Sequence, residues 1–214
     1  MNQTEARYRL VQHSILVIGA AGKSGAPVVE QAIARGHKVT AYVRSPEKAA
    51  GLPKAARIVK GDGLDAVALA AAMPGHHTVI ITAGGVKDMV SGPVTRNAVA
   101  AMRAAGVRRV ILLSAYGVGD GAHGLYGFVM SNLGKKLAAD KIASEAALEG
   151  SGLDWTAVRA PVLNEAPATG KLKHGIGVKP SGFKAISRQD LAAFMLDQID
   201  SPAYVNKKPV VYRD

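Results

Sequence analysis

The sequence of 214 residues contains no cysteine, and aromatic residues make up only 5% of it. The lack of cysteine excludes disulfide bonds, thiol catalysis and cysteine-ligated metal sites. No apolar run reaches the roughly 18 residues that a membrane-spanning helix requires. The segment 1–13 carries Glu5, Arg7 and Arg9 where a signal peptide would have an apolar core. We therefore expect a cytoplasmic globular protein with no membrane partner, in which residues 1–13 form a leader.

Acidic residues are also scarce relative to basic ones, at 16 against 27, which gives a formal net charge of +11. An excess of this size is compatible with nucleic-acid binding. The basic residues are spread along most of the chain, however, and this favours an anionic small molecule over nucleic acid as the partner. Two groups stand closer together: Arg103, Arg108 and Arg109, and Lys171, Lys173, Lys179 and Lys184.

Short β-branched runs alternate with segments of helical periodicity, which is typical of a doubly wound parallel sheet with helices on both faces. The predicted strands are 14–18, 37–43, 57–60, 78–82, 107–113, 155–158 and 210–212. The predicted helices are 27–35, 65–73, 93–105, 133–149 and 187–199. Because the chain shows neither an internal repeat nor a linker, residues 14–214 are predicted to form a single α/β domain with the Rossmann fold.

One stretch, about 164–186, lacks periodicity and is rich in Gly, Pro and Lys. This composition is typical of a surface loop, and its position predicts a substrate loop over a site. Its four lysines are expected to attract an anionic substrate, unless they are simply solvated charges.

The first predicted strand ends in a glycine-rich turn, Gly19–Gly25 (GAAGKSG), and a helix follows. In this context the three glycines indicate a dinucleotide-binding turn. Gly19 permits the tight turn, Gly22 lets the backbone approach a pyrophosphate, and Gly25 lets the helix pack closely on the strand. Free N–H groups at the helix N-terminus attract phosphate. A turn without a ligand is the alternative. The expected contacts are Gly19, Ala21, Gly22, Lys23, Ser24 and Gly25.

The end of the second predicted strand indicates which dinucleotide binds. Proteins that bind NAD usually place Asp or Glu about 20 residues beyond the glycines, where it bonds the ribose 2′-hydroxyl. This chain has Arg44 there, whose guanidinium can bind a 2′-phosphate at two points, and Lys23 and Ser45 are further candidates for the same contact. We therefore predict NADP(H) in preference to NAD(H), unless Arg44 is only a solvated surface charge.

Several segments together resemble the atypical short-chain dehydrogenases, which are the NAD(P)H-binding, NmrA-like proteins. Within that group the chain is most similar to the flavin reductase and biliverdin-IXβ reductase type, over about residues 14–212. The likeness is more specific for the cofactor than for the substrate. The segments are the turn at 19–25, YVRSPEK at 42–48, Gly-Asp at 61–62, VRRVILLSAYG at 107–117, SGLDWTAVRAP at 151–161, Thr-Gly at 169–170 and ISRQDLAAFML at 186–196.

The resemblance implies further cofactor contacts at the carboxyl ends of the strands. It places Asp62 and Gly63 beside the adenine, and Ala83, Gly84 and Gly85 against the ribose. It also places Ser114 near the nicotinamide, and Pro161, Val162 and Leu163 at the nicotinamide carboxamide. Judged by residue type alone, Ser114 also fits a helix-capping or turn serine.

The usual catalytic pair of short-chain dehydrogenases is a Tyr with a Lys four residues later. Lys141 fits the Lys position in the relevant helix, but Leu137 occupies the Tyr position. The spacing recurs at Tyr204 and Lys208, too late in the chain. Alcohol–ketone interconversion with a tyrosine proton donor is therefore not expected.

The remaining candidates for catalysis are Ser114, Tyr116 and Lys141, with Tyr126 as a further candidate for the site. Ser114 would orient or polarise the acceptor, while Tyr116 would either replace the missing donor or serve in packing. Biliverdin reductases carry a His where this chain has Val162, which argues against biliverdin itself.

These residues predict a reductase that transfers hydride from NADPH to a flavin, a quinone or a similar planar acceptor, which needs no proton donor from the enzyme. One alternative is a non-catalytic NADP(H) sensor of the NmrA type. Another is an isomerase or dehydratase in which Lys141 or Tyr116 carries the proton. His76 and His77 lack a third ligand at suitable spacing, so no metal site is predicted. A monomer or homodimer is expected.

Overall fold

The computed structural model describes residues 11–85, 87–121, 127–129, 132 and 134–213. The strands are β1 (Ser14–Ile18), β2 (Lys38–Val43), β3 (Arg57–Lys60), β4 (Thr78–Ile81), β5 (Arg109–Ala115), β6 (Asp154–Ala160), β7 (Val162–Asn164), β8 (Leu172–Gly175), β9 (Ala185–Ser187) and β10 (Val210–Arg213). The α-helices are α1 (Gly25–Ala34), α2 (Ala66–Ala72), α3 (Ser91–Ala105), α4 (Lys135–Leu148) and α5 (Arg188–Asp197).

Eight strands form one sheet in the order β3-β2-β1-β4-β5-β6-β10-β8. All neighbouring strands are parallel except β8, which runs antiparallel to β10 at the edge. From β1 the chain winds outward first through β2 and β3 and then, on the other side, through β4, β5 and β6. Because the winding reverses between β1 and β4, a crevice opens at the carboxyl ends of these two strands. The predicted doubly wound Rossmann sheet is confirmed.

The central strands are apolar along nearly their whole length because helices cover both faces of the sheet. On one face α1 and α5 pack against β1, where Val17, Val28 and Leu191 belong to one buried cluster. On the other face Leu16 packs with Met102 of α3 in a second buried cluster. The predicted placement of helices on both faces is therefore confirmed. Within the described residues, no helix combines the length and apolarity needed to cross a membrane.

The prediction of an irregular loop at 164–186 is wrong in part. Residues 172–175 form β8 at the sheet edge, and β9 pairs in parallel with β7. An edge strand is half solvated and tolerates lysine and glycine, so its sequence lacks the apolar signal of a central strand. Within the same stretch, Asp190 fixes residues 169 and 170, because its carboxylate accepts hydrogen bonds from the N–H groups of Thr169 and Gly170.

Most element boundaries lie within about two residues of the predicted ones. Helix α1 begins at Gly25 instead of residue 27, since the glycine turn leads directly into it. Ser187 caps α5 by accepting a hydrogen bond from the Asp190 N–H. Most of the predicted leader, residues 1–10, lies outside the described residues.

Candidate functional site

A cleft of about 670 Å³ opens at the carboxyl ends of the central strands. It runs from the glycine turn and the end of β2, past residues 82–85 after β4, to the ends of β5 and β6. The structure brings together all of the predicted cofactor contacts except Gly25. The predicted residues that line the cleft are Gly19, Ala21, Gly22, Lys23, Ser24, Arg44, Ser45, Asp62, Gly63, Ala83, Gly84, Gly85, Ser114, Pro161, Val162 and Leu163.

Glycine is required at two positions of the turn for different reasons. Gly19 has a φ of +85°, and a Cβ there would lie 2.9 Å from the backbone nitrogen of Ala83. Gly25 lies beneath the cleft, and a Cβ on it would approach the carbonyl oxygen of Gly19 to 2.2 Å. The first glycine thus makes the turn and the third lets α1 pack against β1, as the sequence predicted.

The turn offers unused hydrogen-bond donors to an anion. The N–H groups of Gly22 and Gly25 bond carbonyl oxygens within the turn. Those of Lys23 and Ser24 donate to none of the described residues, and no side chain caps α1. Free donors at the positive end of a helix dipole suit a phosphate group. The residues present therefore fit the pyrophosphate of a dinucleotide.

Positive charge collects where the cleft passes the end of β2. Arg44, Lys48 and Lys23 line this part together with Ser45. The Arg44 side chain is 58% exposed, and its Nη2 lies 3.6 Å from Oδ2 of the equally exposed Asp88. Water screens such a pair strongly, so it holds Arg44 only weakly. Asp88 also lines the cleft, and no sequence pattern indicates its position beside Arg44 because 44 residues separate the two.

Ser114 lies at the other end of the cleft and belongs to a buried polar network. Its hydroxyl donates to Oε1 of Glu145 at 2.6 Å. Arg159 binds both oxygens of Glu145 and also pairs with Asp120. Burial by itself lowers the pKa of Arg159, but hydrogen bonds and charge from Glu145 and Asp120 outweigh it and raise that pKa. The network fixes the Ser114 side chain, and sequence reasoning did not connect Glu145 or Arg159 with it.

Lys141 extends from α4 to the same end of the cleft. Its Nζ donates to the Leu113 carbonyl at 3.2 Å and to Ser91 Oγ at 3.3 Å. Burial lowers the pKa of Lys141 to about 8, although Asp140 and Glu145 partly oppose the shift. An ammonium group has three N–H donors, so one remains for a molecule in the cleft. Leu137, in the position of the usual tyrosine, lines the cleft nearby.

Several other candidates do not reach this cleft. Tyr116 is buried against Val210 and Tyr212 and lines a separate cavity. This position favours the role in packing over that of a proton donor. The cleft lining contains none of the described lysines of the loop, which corrects the expectation that they stand over the site. Tyr126 lies outside the described residues. Arg188, which the sequence did not suggest, does line the cleft and pairs with Glu165 at 2.7 Å.

His13, His37 and His77 lie at the amino ends of β1, β2 and β4, opposite the cleft. His13 packs near His37 and His77, and His13 Nε2 bonds Asp200. His76 bonds Thr40 through Nε2. Within the described part of the chain, no three His, Asp or Glu side chains are arranged to hold a metal ion.

Two curated proteins illustrate which known sequences the chain resembles. The chain is 29% identical over 187 residues to an uncharacterized chloroplastic protein of Arabidopsis thaliana, covering 80% of this chain and 67% of that one. It is 34% identical over 116 residues to cinnamoyl-CoA reductase 1 of Oryza sativa subsp. japonica, covering 48% of this chain and 34% of that one. The match thus spans about a third of the rice enzyme's length.

Solved structures of similar architecture cover almost the whole chain. One is described as ChuY, an anaerobillin reductase from Escherichia coli O157:H7, with 28% identity, a TM-score of 0.80 and coverage of 92% and 96%. A putative exported protein from Burkholderia pseudomallei is 25% identical, with a TM-score of 0.80, and the match covers 94% of this chain and 100% of that one. A putative NAD-dependent epimerase/dehydratase from Bacillus halodurans, at 22% identity, TM-score 0.79 and coverage of 94% of each chain, supports the fold alone.

A family model described as NAD(P)H-binding matches residues 19–202, from the first glycine of the turn to beyond α5. The matched region contains every described residue that lines the cleft apart from Ile18, which directly precedes it. The glycine turn in this region and the free N–H groups that can bind phosphate are the features that binding a nicotinamide dinucleotide requires. The chain belongs to the NAD(P)H-binding family of Rossmann-fold proteins.

Proposed function

We propose that the protein is an NADPH-dependent reductase that transfers hydride to a planar acceptor. The observation that carries this proposal is a single cleft with free N–H groups for a phosphate at one end and the Ser114–Lys141 pair at the other. When bound, the nicotinamide supplies the hydride. The bacterial neighbour described as an anaerobillin reductase supports a tetrapyrrole-like acceptor, and a flavin has the same planar character.

The preference for NADPH follows from the charges around Arg44. Three cationic side chains, Lys23, Arg44 and Lys48, surround the end of β2 and line the cleft. A 2′-phosphate can displace the weak pairing with Asp88, because a guanidinium–phosphate contact is charge-assisted and two-pronged. NADH lacks the 2′-phosphate and would leave Arg44 without this contact.

The residues at the other end would position the acceptor. Leu137 supplies an apolar wall in place of the usual tyrosine, and such a wall suits a flat ring. Lys141 has a free N–H for a carbonyl of the acceptor. Because the proposed acceptors need no proton from a tyrosine, close and oriented contact between the two rings provides most of the rate enhancement.

The cofactor proposal is tested by measuring the dissociation constants of NADPH and NADH for wild type and Arg44→Ala. Loss of a charge-assisted contact should cost about 1.5–3 kcal/mol, which corresponds to a roughly 10- to 150-fold weaker affinity for NADPH. The affinity for NADH should not change. The control Arg57→Ala removes an exposed arginine on β3 outside the cleft, and both affinities should stay as in wild type. Equal losses for both cofactors would contradict a 2′-phosphate site.

The catalytic proposal is tested by following NADPH consumption with lumiflavin, a quinone and a linear tetrapyrrole as acceptors. Steady consumption coupled to reduction of an acceptor supports the reductase. Tight binding of NADPH without any turnover would instead favour a redox sensor. Conversion of a substrate without net loss of NADPH would favour an isomerase or dehydratase.

A further inference from the structure

The direction of the hydrogen bond between Ser114 and Glu145 determines what the cleft offers to a ligand. Ser114 Oγ lies 2.6 Å from Glu145 Oε1, and both side chains are buried. Arg159 donates to Oε1 from Nε at 2.9 Å and to Oε2 from Nη2 at 2.6 Å. A carboxyl group in this two-point ion pair is ionised, and an ionised carboxyl group only accepts hydrogen bonds. The proton between the two oxygens therefore belongs to Ser114.

A serine hydroxyl has one proton and two lone pairs. Because the proton of Ser114 points to Glu145, the side of Oγ that faces the cleft is an acceptor. None of the described residues donates a hydrogen bond to this oxygen, and the anionic partner raises its negative partial charge. Ser114 therefore does not polarise a carbonyl by donating to it, which corrects one of the two roles expected from the sequence.

Lys141 supplies the complementary donor. Its Nζ bonds the carbonyl oxygen of Leu113, the residue that precedes Ser114, and it lines the same cleft. A wall with one donor and one acceptor side by side fits a ligand in which a carbonyl stands next to an N–H. Lactams and imides have this pattern, whereas a quinone has carbonyl groups and no N–H.

We propose that Ser114 accepts a hydrogen bond from the N–H of a lactam or imide in the acceptor, so that the site selects flavin-like or tetrapyrrole-like acceptors over quinones. This inference rests on the reductase function proposed above. The other source of such a donor is the carboxamide of the nicotinamide, and the experiment separates the two sources.

The experiment uses lumiflavin and 3-methyllumiflavin, in which a methyl group replaces the imide hydrogen. Dissociation constants are measured in the presence of NADP⁺, and kcat/KM is measured with NADPH, for wild type and Ser114→Ala. The matched control is Ser144→Ala, since Ser144 is a buried serine on α4 that bonds the Lys141 carbonyl and does not line the cleft.

Ser114→Ala should weaken the binding of lumiflavin by roughly tenfold, the effect of one lost hydrogen bond, and leave 3-methyllumiflavin unchanged. Ser144→Ala should leave the ratio between the two flavins as in wild type. If crowding alone disfavours the methyl group, Ser114→Ala would tighten 3-methyllumiflavin and leave lumiflavin unchanged, which overturns the inference. Failure of lumiflavin to bind at all also overturns it.

A second arm compares NADPH with its 3-acetylpyridine analogue, whose acetyl group has no N–H. If Ser114→Ala weakens NADPH but not the analogue, the donor is the cofactor carboxamide and the assignment to the acceptor is wrong. Absence of turnover in wild type would overturn the reductase function instead. The flavin dissociation constants would still decide the role of Ser114, so the two failures are distinguishable.

Discussion

Among single residues, Lys141 is held in its buried position at a cost to stability. Burial lowers its pKa from 10.5 to about 8, which means that the folded protein disfavours the ammonium form. Two hydrogen bonds to Ser91 and Leu113 offset part of this cost. A buried lysine at the end of a cleft is a site that stability alone would not retain, and this supports a functional role.

We predict that Lys141→Met is more stable than wild type at pH 7. Lowering the pKa of Lys141 from 10.5 to about 8 corresponds to about 3 kcal/mol, and the lost hydrogen bonds reduce the gain to about 1–2 kcal/mol. Below pH 8 the lysine is charged in both states, so the full cost is present. Between pH 8 and 10.5 the unfolded chain binds more protons, so wild-type stability rises and the gap narrows.

The measurement is urea unfolding of both proteins at pH 7 and above pH 10. The control is Lys136→Met, which changes an exposed lysine on the same helix. If the two variants show the same stability and the same pH dependence, the cost of burying Lys141 is not real.

At the scale of elements, the glycine turn joins β1 to α1 through backbone contacts that leave no room for a side chain. We predict that Gly25→Ala destabilises the protein by about 1–3 kcal/mol or more and abolishes NADPH binding, because its Cβ would meet backbone atoms of Gly19 and Ala20. Thermal unfolding and NADPH titration measure the two effects. Gly51→Ala is the control, since a Cβ there has no atom within 4 Å. Normal NADPH affinity in Gly25→Ala would show that the packing at Gly25 does not shape the cleft.

Sequence reasoning located those elements whose signal is local. Strand β1 is apolar along its length, the glycine spacing is contiguous, and Ser187 caps α5 three residues before Asp190, so each could be predicted. Strand β8 could not, because its polar residues become a strand only through pairing with β10. In that pairing His174 lies opposite Val211, which is 37 residues further along the chain.

The buried network beside Ser114 was missed for a similar reason. Glu145 on α4 meets Arg159 on β6 and Ser114 on β5, and no sequence spacing indicates that these three elements converge. The Thr-Gly pair at 169–170 and the ISRQD segment at 186–190 form one hydrogen-bonded unit in the structure. Asp190 accepts from the N–H groups of Thr169 and Gly170, which fixes the end of the stretch that leads to β8.

At the scale of the whole molecule, the net charge of +11 acts on any anionic ligand over distances beyond direct contact. Part of the positive charge is neutralised locally, as in the pairs Arg35–Asp197 and Arg108–Asp154 on the outer surface. The cations that line the cleft at the end of β2 are exposed, and the Arg44–Asp88 pair is loose. The overall charge thus adds to a local field at the place where a 2′-phosphate would bind.

We predict that salt weakens the binding of NADPH more steeply than that of NADH. Exposed charges are screened over about 10 Å at 0.1 M ionic strength, and NADPH carries an additional phosphate that faces exposed cations in the proposed binding mode. The dissociation constant of NADPH should rise several-fold between about 0.01 and 0.3 M salt, while that of NADH rises less. In Arg44→Ala the two salt dependences should converge, whereas Arg57→Ala should keep the wild-type difference. Parallel salt dependences in wild type would mean that the excess of positive charge attracts both cofactors equally and gives no preference for NADPH.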